Sequence, residues 1–298
     1  TKLCMIAWCL SRLNSKFCPF MAEKESTNPL FSNPLEAYPG LTVADLNQYL
    51  PALQKTDDIE MTLDTMHDGV FLTDGLEGLR KLPAASIDII ITDPPESPWR
   101  GKDRPGSPMT LQEYYKWNNN WLEEAHRVLK STGALYLFCD WRLSGMYHSM
   151  LTNFLKVQTR ITWRKMQAGE TSKAITWKNQ AADIWFATKT KDFLFDQEAI
   201  SDQKDMEPAL AQGSGPSNLW VDILDTHVSP AEEMSGDKPE LLIERILKAS
   251  SFKLNWVVDP FMGSGGVGVV TKKLGRRFIG FEADQDQLLI SMKRIDQS

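Results

Sequence analysis

The chain has 298 residues, 42% of them hydrophobic and 24% charged, which is enough for one large α/β domain or two small ones and excludes a disordered or fibrous protein. No apolar run approaches the roughly 18 residues that span a bilayer, so no membrane partner is expected. The net charge of -6 argues against nucleic acid on bulk grounds, yet phosphate binding needs only a locally basic face.

Residues 1–20 hold three of the four cysteines, Cys4, Cys9 and Cys18, and no acidic residue; the fourth is Cys139. Their spacing fits neither a zinc site nor a disulfide framework, so no metal is expected and a reducing cytoplasm suits the thiols. The apolar run Leu3–Leu10 is short for a targeting segment, and no clean small-residue cleavage site follows it. It reads as an appendage, with Met21 opening the main sequence. Residues 22–60 are polar with Pro29, Pro34, Pro39 and Pro51, and read as a loosely structured lead-in. Residues 1–60 are therefore expected to be an N-terminal extension, with the main domain at 61–298.

From Val70 the texture changes. Val70–Leu72 reads as a strand ending in Thr73-Asp74-Gly75, Leu76–Leu82 as a helix, and Ile87–Thr92 as a buried parallel strand. Tyr114–Lys130 carries a helical stripe of Trp117, Trp121, Leu122, Ala125, Val128 and Leu129, with Gly133 as its cap and Ala134–Cys139 as the next strand. Between Gly145 and Asp237 the alternation weakens; Ile161–Trp163 and Ala182–Ala187 are short strand candidates, and Gln203–Ser217 is polar and reads as an exposed loop. Leu241–Leu247 reads as a helix entered through Pro239, Asn255–Val258 as a strand, and FMGSGGVG as the opening of a helix that runs to Lys273. Arg277–Glu282 and Asp286–Ile295 close the chain as strand and helix. This alternation predicts a doubly wound α/β fold with a mostly parallel sheet.

Two loops carry chemistry. Val257–Gly266 reads as strand, tight turn and helix, where glycines admit close backbone approach and helix-start amides face an anionic group. The run is neither GxGxxG nor GxxxxGK[ST], which disfavours a dinucleotide or triphosphate. Asp259 ends its strand at the carboxyl edge, and Glu282, seventeen residues beyond Gly265, ends the next, where a carboxylate suits a ribose diol. At Asp93-Pro94-Pro95-Glu96 two prolines fix φ and remove two donors, so carbonyls and a carboxylate are presented rigidly to a ligand that donates hydrogen bonds. Alone, Asp-Pro-Pro reads equally as a rigid loop whose aspartate caps a helix; paired with the glycine loop it reads as a site.

Together these segments resemble the DNA amino-methyltransferases. TDPPE resembles their catalytic motif, VVDPFMGSGGVG the methionine end of their cofactor site, RFIGFE the ribose-binding strand, KPELLIERIL the motif preceding the glycine loop, and GVFLTDGLEGLRKLPAASIDIIITDPP their lead-in. The order, DPP before the glycine loop, is that of the permuted β group. The resemblance implies a Rossmann-like fold with a target-recognition insertion at about 165–235, and S-adenosyl-L-methionine as cofactor. It implies cofactor contacts from Asp74, Gly75, Lys238, Pro239, Asp259, Pro260, Phe261, Met262, Gly263, Ser264, Gly265, Glu282 and Ala283. Asp93 and the Pro94 carbonyl would accept hydrogen bonds from the target amino group of a base flipped out of double-stranded DNA, with Pro95 and Glu96 completing the catalytic motif. A cytoplasmic enzyme, a homodimer and a restriction partner fit the same family.

Two departures matter. Glu96 stands where the family has an aromatic residue that stacks on the base; Trp99 could replace it with Trp163 on the other face of the base, Glu96 could itself accept a hydrogen bond, or the chain could be a catalytically impaired DNA-binding relative. Before Lys238-Pro239 the family's histidine and threonine are missing. Adenine N6 is the expected target, since Asp leads the family's adenine enzymes; cytosine N4 is the alternative. Basic residues from Lys156 to Lys191, among them Arg160, Arg164, Lys165 and Lys189, and the loop residues Arg100, Lys102 and Arg104 are the expected phosphate contacts.

Overall fold

The computed structural model describes residues 40–95, 109–164, 177, 180–200, 216–223 and 238–298. In chain order the elements are α1 (Val43–Tyr49), β1 (Gln54–Lys55), β2 (Gly69–Leu72), α2 (Gly75–Lys81), β3 (Ile87–Thr92), α3 (Leu111–Val128) and β4 (Leu129–Cys139). There follow α4 (Trp141–Phe154), β5 (Lys156–Arg164), β6 (Ala181–Thr188), β7 (Leu219–Trp220), α5 (Glu240–Ser250), β8 (Trp256–Asp259), α6 (Gly266–Lys273), β9 (Arg277–Glu282) and α7 (Gln285–Asp296). The strands form one sheet in the order β1-β2-β9-β8-β3-β4-β6-β5-β7, with β6 antiparallel to both neighbours and the remaining pairs parallel. It is the doubly wound, mostly parallel α/β sheet expected from the alternation of elements.

The β-branched run of β3 explains its central place. Ile89, Ile90 and Ile91 are fully buried because helices cover both faces of the sheet. Ile90 packs with Trp121, Leu122, Leu135 and Tyr147 on one face. Ile89 and Ile91 pack with Leu242, Ile246, Val257 and Leu288 on the other. α3 starts at a capping box in which Thr110 Oγ1 accepts from the Glu113 amide and Glu113 Oε2 accepts from the Thr110 amide. Its apolar stripe buries Trp117, Trp121, Leu122, Ala125 and Val128.

Three expectations are corrected. Residues 41–59 are part of the domain: Leu41, Leu46, Tyr49 and Ile59 are buried, Lys293 on α7 pairs with Asp45, and β1 adds to the sheet beside β2. The scattered prolines concealed a capping box at Thr42 and Asp45. Gly133 is no helix cap. The helix ends at Val128, Leu129 turns extended, and β4 begins there, paired with Ile87. Gly133 lies inside that strand, where a Cβ would meet Leu129 and the Ile87 carbonyl at 3.0 and 3.1 Å. Finally, α4 occupies the stretch where alternation was expected to weaken; Asp140 caps it, accepting from the Arg142 amide at 2.8 Å.

Candidate active site

The connections from β8 and from β3 run to opposite sides of the sheet, so a crevice opens between their carboxyl ends. Both motif loops leave the sheet there. Thr92, the last residue of β3, donates from Oγ1 to Asp259 Oδ1 at 2.9 Å, and the Phe261 amide donates to the same oxygen at 3.1 Å. Asp259 is 3% exposed, and this burial, reinforced by the negative charges of Asp93 and Glu282, pushes its carboxyl up to about 7.

Beyond Asp259 the loop turns at two glycines in the left-handed region, Gly263 (φ 51°) and Gly265 (φ 83°). At Gly265 a Cβ would also lie 2.8 Å from Cβ of Ser291, so the position is closed to other residues sterically as well as conformationally. The Met262 amide donates to the Phe281 carbonyl at 3.0 Å, and the Gly263 amide to Glu282 Oε2 at 2.9 Å. Glu282 Oε1 accepts from the Asp284 amide at 2.8 Å, and burial holds its carboxyl above the usual range. Arg294 clamps Ser264 through its carbonyl and hydroxyl, at 3.0 and 2.6 Å.

The turn after β2 presses against this loop. A Cβ on Gly75 would lie 2.3 Å from the Pro260 carbonyl oxygen and 2.6 Å from the Phe261 ring. Asp74 caps α2 by accepting from the Leu76 amide, and the Thr73 amide donates to the Glu282 carbonyl. Asp74, Gly75, Asp259 through Gly265, Glu282 and the exposed Ala283 beside it therefore lie together at the carboxyl ends of β2, β8 and β9. These groups fit an adenosyl cofactor: glycine-built backbone, two carboxylates and the α6 N-terminus lie together at the carboxyl ends of β8 and β9.

At the catalytic turn, Pro94 is buried and Asp93 is 46% exposed on its side chain. Lys238, just before α5, donates to the Asp93 carboxylate, and its ammonium lies 5.6 Å from the centroid of the Phe138 ring. Pro239 follows as the N-cap residue of α5. Lys238 thus reaches Asp93, while its motif had implied the cofactor. The Pro95 carbonyl accepts from the Tyr114 hydroxyl at 3.1 Å.

The model of the N6/N4 methyltransferase family, described as DNA methylase, matches residues 87–293. The chain belongs to this DNA methylase family. It is 29% identical over 240 residues to the type II methyltransferase M.HpaI of Haemophilus parainfluenzae, covering 78% of this chain and 75% of that one. It is 28% identical over 246 residues to the type II methyltransferase M2.DpnII of Streptococcus pneumoniae, covering 75% and 88%. Among solved structures, the cytosine-N4-specific PvuII DNA methyltransferase superposes with a TM-score of 0.61 at 19% identity, covering 77% of this methylase and 86% of that chain. The M1.HpyAVI–SAM complex superposes with a TM-score of 0.54 at 22% identity, covering 77% and 100%.

Other expected contacts of the methylase separate. Trp163 is 1% exposed, and its indole N–H donates to the Ile223 carbonyl at 2.9 Å, so it is a core residue with no ring face open to a base. The basic stretch from Lys156 to Lys191 is not one surface. Lys156 pairs in register with Thr188 at the sheet end away from Asp93, and Lys189 spends its ammonium on the Leu129 carbonyl at 2.6 Å. Arg160 lies 3.7 Å from Asp183, and the exposed Arg164, opposite Ala181, stands at the site end of the sheet. Glu96, Trp99, Arg100, Lys102, Arg104 and Lys165, most of the region 165–235 and residues 1–39 lie outside the described residues. Trp141 went unnoticed in the sequence. It is 56% exposed and opens α4 directly beyond β4, two residues after Cys139. No described helix is long and apolar enough to cross a membrane.

Proposed function

We propose that this methylase transfers a methyl group to N6 of adenine in double-stranded DNA, with Asp93 and the Pro94 carbonyl as the groups that receive the target amine. Its methyl donor is S-adenosylmethionine, which supplies an electrophilic methyl when bound. The observation that carries the reading is the Thr92–Asp259 hydrogen bond, which locks the acceptor turn and the glycine loop side by side at the switch point of the sheet.

From that geometry the chain's own residues take separate tasks. The glycine loop and Glu282 receive the cofactor, Glu282 through the carboxylate lone pairs left beside its contacts to the Gly263, Ala283 and Asp284 amides. Asp93 and Pro94 accept hydrogen bonds from the amine, which raises electron density on its nitrogen and orients its lone pair. Lys238 holds Asp93 Oδ2 and leaves Oδ1 of the carboxylate for the amine. Catalysis is positioning and electrostatics, with no covalent enzyme intermediate. The base must leave the duplex to reach the crevice, and Trp141 is the exposed aromatic residue beside it. The region 165–235, with Arg164 at its entrance, is the DNA-recognition part of this reading.

Cytosine N4 is the second reading, favoured by the superposition on the cytosine-N4-specific PvuII enzyme. Mass spectrometry of nucleosides from DNA methylated by the purified protein separates N6-methyladenine from N4-methylcytosine. Asp93→Ala should lower the transfer rate on the order of a hundredfold to a thousandfold while cofactor affinity is kept. Full activity in that variant would overturn the assignment.

A further inference from the structure

Pro94 and Pro95 carry no N–H, so the main-chain handles of the catalytic turn are its carbonyls. One is held from below. The Tyr114 hydroxyl donates to the Pro95 carbonyl at 3.1 Å and lies 2.8 Å from the Tyr147 hydroxyl. The Tyr147 hydroxyl donates in turn to Asn118 Oδ1 at 3.1 Å, which also accepts from Trp121 Nε1 at 2.9 Å. Asn118 Nδ2 donates back to the Tyr114 carbonyl at 2.9 Å. Tyr114, Tyr147, Asn118 and Trp121 are between 0 and 4% exposed, and all come from α3 or α4.

The Tyr147 hydroxyl donates to Asn118 Oδ1 and the Tyr114 hydroxyl to the Pro95 carbonyl, so this buried chain of polar groups ends on the catalytic turn. Burial keeps the Tyr147 hydroxyl well above its ordinary pKa, so it stays a proton donor at any working pH. α3 also supports the other reaction partner. Trp117 and Trp121 pack on Phe261 of the glycine loop, with ring centroids 5.2 and 5.5 Å apart.

We infer that Tyr114, backed by Tyr147 and Asn118, is a positioning residue for methyl transfer: it ties the Pro95 carbonyl to α3 and so aims the Asp93 carboxylate and Pro94 carbonyl at the amine. The inference rests on the proposed DNA methylation. Two carbonyls in succession then have opposite tasks, that of Pro94 meeting substrate and that of Pro95 anchoring the turn. Removing the anchor frees the turn to rotate without altering the cofactor loop.

The test is Tyr114→Phe, which keeps the ring packed on Trp117 and removes only the hydroxyl. The single-turnover methylation rate at saturating DNA and cofactor should fall about tenfold, the equivalent of one lost hydrogen bond. Cofactor Kd should stay within about twofold, since only the turn is released. Tyr147→Phe should give a smaller loss, because Tyr114 keeps its own proton for Pro95. An independent readout is isotope-edited infrared spectroscopy with 13C-carbonyl proline, in which the parent-minus-variant difference should show one carbonyl moving to higher wavenumber. A parent that methylates DNA and a Tyr114→Phe variant of equal rate would overturn the inference alone. A cofactor Kd that weakens in step with the rate would also overturn it, since that marks general softening of the site. A parent that methylates no DNA overturns the function on which the inference depends, whatever the infrared band does.

Discussion

Asp259 lies between the two reaction loops with its carboxyl out of water, and two other carboxylates face it, those of Asp93 and Glu282. The hydrogen bonds from Thr92 and the Phe261 amide favour its charged form but do not offset the burial. A carboxyl raised from 3.8 to about 7 holds its proton more tightly in the folded chain. Its contribution to stability is therefore full below about pH 4 and is lost as pH rises through about 7. Asp259→Asn keeps an acceptor for both donors and has no charge to bury. Melting temperatures of the cofactor-free protein, measured from pH 4 to pH 8, should fall more steeply with pH for the parent than for the variant; parallel curves would count against the raised pKa. Asp93, Asp259 and Glu282 were legible in the sequence because each sits in a short motif whose neighbours declare it. Thr92 and Tyr114 were not, since their partners are fixed only by folding: the Thr92–Asp259 bond spans 167 positions. Trp163 misled for a related reason. An aromatic residue in a strand reads alike whether its ring meets a ligand or another sheet residue, and here it meets the core.

Among the elements, the long ones with strong periodicity were readable, and the errors fell where a boundary depends on a distant surface. β3, β8 and β9 are short apolar runs bounded by turn residues, and α3 has a continuous apolar stripe. α4 has its stripe too, in Tyr147, Met150 and Leu151, but Gly145 and the polar residues around them masked it. α1 is the instructive case. Seven residues are too few for a stable isolated helix, and its order comes from Leu46 and Tyr49 packing inward and from Asp45 meeting Lys293. The Asp45 carboxyl, held by Lys293 and by the Thr42 amide and hydroxyl, is lowered to about 2. If the segment is built into the domain, Leu46→Ala should lower the unfolding free energy by about 2–3 kcal/mol in denaturant titration, since Leu46 is buried. An appendage would show no change.

For the molecule as a whole, the net charge of -6 and the DNA substrate are reconciled only if basic residues are segregated. The sheet sorts them: Lys156 and Lys189 go to the end away from Asp93, and Arg164 to the near end. Arg164→Ala should therefore reduce the slope of log DNA affinity against log salt by about 1, while Lys189→Ala leaves it unchanged. Equal slopes for all three proteins in a fluorescence-anisotropy salt series would remove Arg164 from the interface. The sequence predicted the layered sheet well, because alternating periodicities encode it. It could not predict how the sheet distributes charge between its two ends, since neighbours such as Lys156 and Arg164 lie on one strand yet face different surroundings. One closing contact has a wider consequence. Lys293 reaches the Gly40 carbonyl at 3.3 Å, and Tyr49 bonds Asp296 at 3.1 Å, so the two ends of the 40–298 domain meet. Splicing residue 298 to residue 40 and cutting between Trp220 and Pro239 would leave every strand in place, yet ribosomes would then make the glycine loop before the catalytic turn. In this fold the order of the two motifs thus depends on where the circle is opened, at little expected cost in free energy.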